Sequence, residues 1–398
     1  MNRPEYRNLL TLLRNAVYGE SKPLPVAPDW QVLVRLARIH GVEPLLYDAA
    51  LRLPESQAPD KALATQMKQV CLYQMQQQTL WIPRIHAAVE ALRQKGIEPV
   101  LLKGFGLAEL YPKPYLRSWG DADIWVGVEA YHPACGALRE AFPEAIHHDE
   151  EYEELKHYGI VFPDGNAIEL HRVAMDFPTR DEEAYWQTIE VPAMRAAVTN
   201  PSFQLSTFHF PLSTPSEPFN LLFVFLHMWE HFCGTGMPLK QVLDLALLVK
   251  RDYWPLSDAE RQQYDNYLLE HLRYFHLTEA WQLVAYLTEL VTGVRLPLSE
   301  LPCPRRLLHR REVFVLRVME EGLGRQKEFS LGGTDRYDER ERVKQLPVWR
   351  RKLLTLRTRI GHARFLRQFT PEYARHTLKA NILRGIRRTI HNERMIDY

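Results

Sequence analysis

The stretch "RSWGDADIWVGV", residues 117–128, sets Asp121 and Asp123 at the mouth of an otherwise apolar segment. Ile124, Trp125, Val126 and Val128 favour an extended, interior strand, whereas two neighbouring carboxylates repel each other and resist leaving water. A cation resolves that conflict. Because side chains alternate along a strand, the two aspartates share a face at a repeat of roughly 7 Å, close enough to share a divalent ion such as Mg²⁺.

Reading outward, "IEPVLLKG" (97–104) is a short buried strand ending at Lys103. "GFGLAELYP" (104–112) follows as about two helical turns, whose head at Gly104 to Gly106 offers backbone donors and close approach to a phosphate, with Lys103 beside it. Downstream, "PACGALREAF" (133–142) is a helix, and "HYGIVF" and "NAIELHRV" flank the turn residues "PDGN" as paired strands. "AIELH" places a third acid, Glu169, between Ile168 and Leu170. Three acids on adjacent strands form a candidate two-metal site, which clamps phosphates and stabilises the charge of an in-line displacement. Arg117 and Arg172 are candidates for phosphate charge, or counter-ions for the acids.

The first ninety residues are helical in pattern: "EYRNLLTLLRNAVYG" (5–19), "DWQVLVRLARIHGVEPLLYDAAL" (29–51) and a long run over 61–96. Proline and serine in "HFPLSTPSEPFN" (209–220) mark the passage to a helical C-terminal part, and "SLGGTDRYDERER" (330–342) is a second loop candidate. The expected division is 1–75, 76–212 and 213–398, an α+β chain in which helices flank a small mixed sheet.

With 46% hydrophobic residues in 398, the chain has ample material for packed cores. Four dispersed cysteines without a CxxC pair, and an N-terminus lacking an apolar signal core, point to a reducing, cytoplasmic setting. The longest apolar run, "FNLLFVFLHMW", is about half the roughly 20 residues of a membrane span, so no transmembrane segment is expected. A net charge of +1 conceals a basic tail. In "VWRRKLLTLRTRIGHARFLRQF" and "LKANILRGIRRTI", cations lie among regularly spaced apolar residues, a pattern of either solvated helix faces or a surface for RNA, another polyanion or an anionic membrane.

In its ordered motifs the sequence resembles the nucleotidyltransferase superfamily that includes DNA polymerase β, and more closely an uncharacterised bacterial nucleotidyltransferase-like family. The resemblance rests on "LLKG" at 101–104, Tyr111 or Tyr115, Arg117, "DADIWV" from Asp121 and "IELH" at 168–171, and continues into helices bearing His227, His231 and Asp244. It covers roughly residues 30 to 250. Two features depart from the superfamily pattern: Gly104-Phe105-Gly106 replaces Gly-Ser or Gly-Gly, and Glu169 stands where many active members carry Asp.

The resemblance implies a nucleotidyltransferase core over 76–212 and transfer of a nucleoside monophosphate from an NTP, expected to be ATP, to an acceptor hydroxyl. Asp121, Asp123 and Glu169 would hold Mg²⁺ or Mn²⁺, with Glu169 helping to take up the acceptor's proton. Lys103, Gly104, Gly106 and Arg117 would hold nucleotide phosphate. The alternative is an inactive nucleotide- or partner-binding regulator of the same fold. A third reading comes from "HMWEH" (227–231), which fits the H-x-x-E-H zinc-peptidase motif with His227 and His231 as ligands and Glu230 as base. Against it, residues one turn apart in an apolar helix are neighbours whatever their purpose, and His227, His231 and Asp244 equally serve to tie the helical part to the nucleotide cleft.

Overall fold

Apolar residues recurring three and four apart build the N-terminal helices of the computed structural model, which describes residues 3–147, 157–200, 204–205, 208–209, 211–322 and 347–390. Helix α1 spans Pro4–Tyr18, α2 Trp30–His40, α3 Glu43–Ala50 and α4 Lys61–Gln94. Asp29 and Asp60 cap α2 and α4 by accepting from the backbone N–H groups of Val32 and Leu63. The run 29–51, expected as one helical pattern, breaks in two: Gly41 caps α2 with φ +64°, and Pro44 suits the first turn of α3. Helix α4 crosses residue 75 without interruption.

Next come β1 (Val100–Leu101), α5 (Lys103–Gly106), β2 (Asp121–Trp125), α6 (Gly127–Ala141), β3 (Ile146–His147), β4 (His157–Val161) and β5 (Ala167–His171). The five strands form one sheet in the order β1-β2-β5-β4-β3, with β2 and β5 parallel and the other neighbours antiparallel. The expected turn between β4 and β5 is present, with Gly165 at φ +83° and its N–H donating to Phe162 O at 2.9 Å. On one sheet face Ala122, Ile124, Tyr158, Ile160, Ile168 and Leu170 join Ile85 and Val89 of α4 and Ala134 and Leu138 of α6 in a buried core. The opposite face carries the acids. Alternation along each strand therefore divides apolar packing from charge.

Helix α7 (Arg180–Arg195), with a Thr179–Glu182 capping box, leads to β6 (Val198–Asn200), β7 (Gln204–Leu205), β8 (Phe208–His209) and β9 (Leu212–Thr214), which pair as β6–β9 and β7–β8. Helices then follow as the sequence predicts: α8 (Phe219–Cys233), α9 (Leu239–Asp252), α10 (Asp258–Tyr274), α11 (Thr278–Thr292), α12 (Arg305–Glu321), α13 (Val348–Leu366) and α14 (Pro371–Ile390). Their core includes Phe223, Leu245, Trp281 and Phe314, and it is continuous with Leu9, Leu13, Leu33 and Leu45 of the N-terminal helices. Both ends of the chain thus share one core. No helix among the described residues is long and apolar enough to cross a membrane. The loop expected over 330–342 lies outside the described residues.

The two cores are joined by a buried ion pair. Arg117, in the segment leading to β2, donates from Nε and Nη2 to the two carboxylate oxygens of Asp244 in α9, at 2.8 and 2.6 Å. Tyr111 Oη donates to the same carboxylate at 2.7 Å, and Arg117 and Asp244 are only 5% and 2% exposed. Arg117, expected beside phosphate, is instead committed to this fork. Removing one partner leaves the other charge buried and alone, so Asp244→Ala is expected to cost about 3–5 kcal/mol in urea denaturation. Arg117→Lys should recover little of the corresponding loss, since an ammonium cannot reproduce the planar two-pronged contact.

Candidate metal centre

Strand register assembles the site. The β2–β5 pairing aligns Asp123 with Glu169 and Asp121 with Ala167, so all three acids project from one sheet face. Their carboxylate oxygens lie within 4.8 Å of one another. Strand β4 adds His157 opposite His171, and Gly159 opposite Glu169. The structure therefore brings together the acids singled out in the sequence, although one of them stands more than forty residues from the other two.

Asp123 is 1% exposed and its charge is balanced locally. Its Oδ1 accepts from His171 Nε2 at 2.7 Å and pairs with Lys103 Nζ at 3.1 Å. Burial alone would raise its pKa, but Lys103 and His171 hold it well below the usual carboxylate range. The second oxygen, Oδ2, is buried without a hydrogen-bond partner. Asp121 is compensated less: Lys103 and Lys240 draw its carboxyl down, but burial together with the Asp123 charge outweighs them and pushes it up to about 6. Lys103 is pulled down by burial but pushed up more by Asp123, Asp121 and Glu169, to about 12. Burial likewise opposes the charge on Glu169, yet the neighbouring His171 keeps that carboxyl below its ordinary value. Crowded hard oxygen donors, one of them an orphaned buried atom, fit a divalent cation such as Mg²⁺ or Mn²⁺.

The expected phosphate-binding residues are placed differently. Lys103 is a counter-ion of Asp123 and also meets His227 Nε2 at 2.8 Å. The turn after β1 is not the head of a helix: α5 is four residues long, Lys103 and Gly104 have φ of +30° and +24°, and a separate 3-10 turn occupies Ala108–Leu110. Gly104 suits that backbone and lies beside the acids, since a Cβ there would stand 4.0 Å from Asp123 Oδ2. Gly106 serves packing instead, because a Cβ would press on Thr214 at 3.3 Å and on the Leu101 carbonyl at 3.4 Å. Arg172 is half-buried with an Nε that has no hydrogen-bond partner among the described residues.

Two further charged or titratable groups near the acids carried no assigned role in the sequence. His171 has a legible signal, standing two residues after Glu169 and hence on the same strand face. Lys240, in the first turn of α9, has none, being far away in sequence. Burial and the nearby Arg117 pull its amine down to about 8, while Asp121 and Asp244 attract its charge.

The histidines of "HMWEH" face this centre. His227 Nε2 lies 3.2 Å from His231 Nε2, and His231 Nδ1 meets Thr235 Oγ1 at 2.8 Å. Glu230 is exposed, and among the described residues the clusters able to hold a metal do not include the pair. With the Lys103 ammonium against His227, the pair links α8 to the cleft and is poorly placed to accept Zn²⁺.

A family described as uncharacterised nucleotidyltransferase matches residues 27–293. Among solved structures, an antigenic nucleotidyltransferase-like protein from Paracoccidioides brasiliensis matches at 16% identity with a TM-score of 0.28, covering 42% of this chain and 74% of that one. No curated protein matches the chain.

The elevated Asp121 pKa has a definite sign. Without metal, the stability tied to its neutral form is complete below about 3.8 and is lost as the pH rises through about 6. Asp121→Asn keeps the neutral form at every pH, so it should be more stable than the metal-free wild type at pH 8 by roughly 1–2 kcal/mol, after allowance for solvent screening. Thermal melts should show this advantage vanish below pH 4. Added Mg²⁺ at pH 8 should raise the wild-type melting temperature and leave the variant's nearly unchanged.

Proposed function

We propose that this chain, which belongs to the uncharacterised nucleotidyltransferase family, transfers a nucleoside monophosphate from an NTP to an acceptor hydroxyl with release of pyrophosphate. What supports this most directly is the convergence of Asp121, Asp123 and Glu169 within 4.8 Å on one sheet face, with Asp123 Oδ2 buried and unpartnered. These three would hold Mg²⁺ or Mn²⁺. Bound there, the metal supplies charge neutralisation for the triphosphate and lowers the pKa of the attacking hydroxyl.

The chain's own residues do the rest. Lys103 and His171 keep Asp123 ionised, so that it presents a carboxylate at any physiological pH. Lys240, half-buried at the start of α9 and electrostatically coupled to Asp121, takes the phosphate-binding role that Lys103 and Arg117 cannot fill while held by Asp123 and Asp244. Glu169, kept below its ordinary pKa, suits metal holding better than proton uptake. ATP is the expected donor, and the cytoplasm the expected setting.

One observation favours the second reading, binding without turnover: Lys103 Nζ already neutralises Asp123, as expected of a centre that no longer needs its metal. The composition of residues 347–390, twelve Lys and Arg against a single Glu, suits a polyanionic acceptor, RNA included.

Thermal-shift assays with the four NTPs and Mg²⁺ or Mn²⁺ test the reading. At about 100 times its dissociation constant the nucleotide should stabilise the fold by roughly 2.7 kcal/mol. Asp123→Asn should abolish the shift, and absence of a shift with every NTP would reject the nucleotide site. Incorporation of label from NTP into an acceptor separates transfer from binding alone. RNA binding, if it uses the tail, should weaken steeply as salt is raised.

A further inference from the structure

Helix α4 serves both cores with its inward face. Leu63, Met67 and Cys71 belong to the core shared by the N- and C-terminal helices, whereas Ile82, Ile85 and Val89 pack against the sheet. The outward face has its own pattern. Gln66, Gln69, Tyr73, Gln76, Leu80 and Pro83 follow one another at alternating intervals of three and four, and all are exposed. The same spacing reaches Ala62 at one end and Ala87 at the other, so the stripe runs roughly 38 Å at about 1.5 Å per residue. This heptad spacing keeps a seam on one side of a helix, and it is the spacing against which a second helix packs.

Charge and exposure single the stripe out. Charged residues make up 25% of the chain, yet none of these positions is charged, and α4 has no charged residue between Lys68 and Arg84. Arg84 is itself tied to Asp164 at 2.6 Å. Leu72 beside the stripe, and Tyr73 and Leu80 within it, are 52%, 62% and 47% exposed. Large apolar side chains left in water on a charge-depleted face characterise the core of an interface, not a solvated helix surface.

We infer that this face of α4 is where two copies of the chain associate, helix against helix about a two-fold axis. The charge pattern selects the occupant. A nucleic acid or a charged protein would find no opposite charge on the stripe. A two-fold axis sets the stripe against itself, so uncharged residues meet uncharged residues whichever way the helices run. Gln carries both donor and acceptor groups, which lets Gln69 and Gln76 pair with residues of the same kind, while Tyr73 and Leu80 supply apolar contact. Three Gln weaken the seam relative to an apolar one and make the association reversible. Because α4 packs on the sheet face opposite the acids, both metal centres stay open in the dimer. The inference is independent of the proposed function.

Sedimentation velocity of the full-length protein over a concentration series is the test. The wild type should pass from monomer to dimer as concentration rises. Tyr73→Glu combined with Leu80→Glu sets like charges across the seam and should raise the dissociation constant about a hundredfold or more. Both positions are exposed, so circular dichroism and the melting temperature of the monomer should show an intact fold, and Leu80→Glu alone repeats the test with a single change. Leu308→Glu, at an exposed apolar residue of α12, should leave the dimer intact. A wild type that stays monomeric up to about 100 μM, a dimer unchanged by the α4 substitutions, or equal weakening by Leu308→Glu overturns the proposal. Leu80→Glu should keep any Mg²⁺- and NTP-dependent thermal shift of the wild type, so dimerisation and the nucleotide reading fail separately.

Discussion

The structure around the cleft is organised by one buried charge. Asp123 sits in the middle of a strand at 1% exposure, where an isolated carboxylate would be neutralised or would expel the strand from the core. Lys103 and His171 prevent both outcomes by converging on Oδ1. The requirement reaches further than the pair itself. Lys103, which supplies that amine, has φ +30°, a backbone region that costs a non-glycine residue roughly 1–2 kcal/mol. Its Nζ also contacts His227, so the same charge balance draws α8 onto the sheet.

A second buried charge system governs how the two cores face each other. The Arg117–Asp244 fork, with Tyr111, crosses from the segment before β2 to α9. Such pairs contribute less to net stability than apolar packing of equal volume, because both ions lose their water. What the fork provides is directionality. Apolar contacts between two cores tolerate sliding, whereas a two-pronged ion pair has one good geometry. With α9 held in this way, Lys240 stands close to Asp121, and the cleft acquires a cation from a part of the chain remote from the acids.

Polar links of this kind explain why parts of the centre were legible in the sequence and others were not. Asp121, Asp123 and Glu169 are conspicuous because each interrupts an apolar strand pattern, and a period of two puts such residues on one face. Lys103 was conspicuous as well, but its partner was not: a lysine after a strand is equally suited to a phosphate or a carboxylate, and only the position of Asp123 decides. Gly106 looked like a phosphate-loop glycine and proved to be a packing glycine, since the Thr214 and Leu101 atoms that crowd it come from β9 and β1. The split at Gly41 was hidden for a different reason, because the apolar periodicity continues through the αL cap that separates α2 from α3.

By itself, then, the sequence determined most of the local elements, the α+β class, the strand on which the acids lie and the face they share. These follow from side-chain alternation and helical periodicity, which depend on neighbours along the chain. Tertiary structure alone decided which cation meets which acid: Lys103 with Asp123, Arg117 with Asp244, Lys240 near Asp121, and His157 opposite His171 across β4 and β5. It also decided that the N-terminal helices share a core with the C-terminal ones. Coulombic and hydrogen-bond energies depend on distance in space, and the register of β2 on β5 and the packing of α8 and α9 set those distances after the local elements have formed.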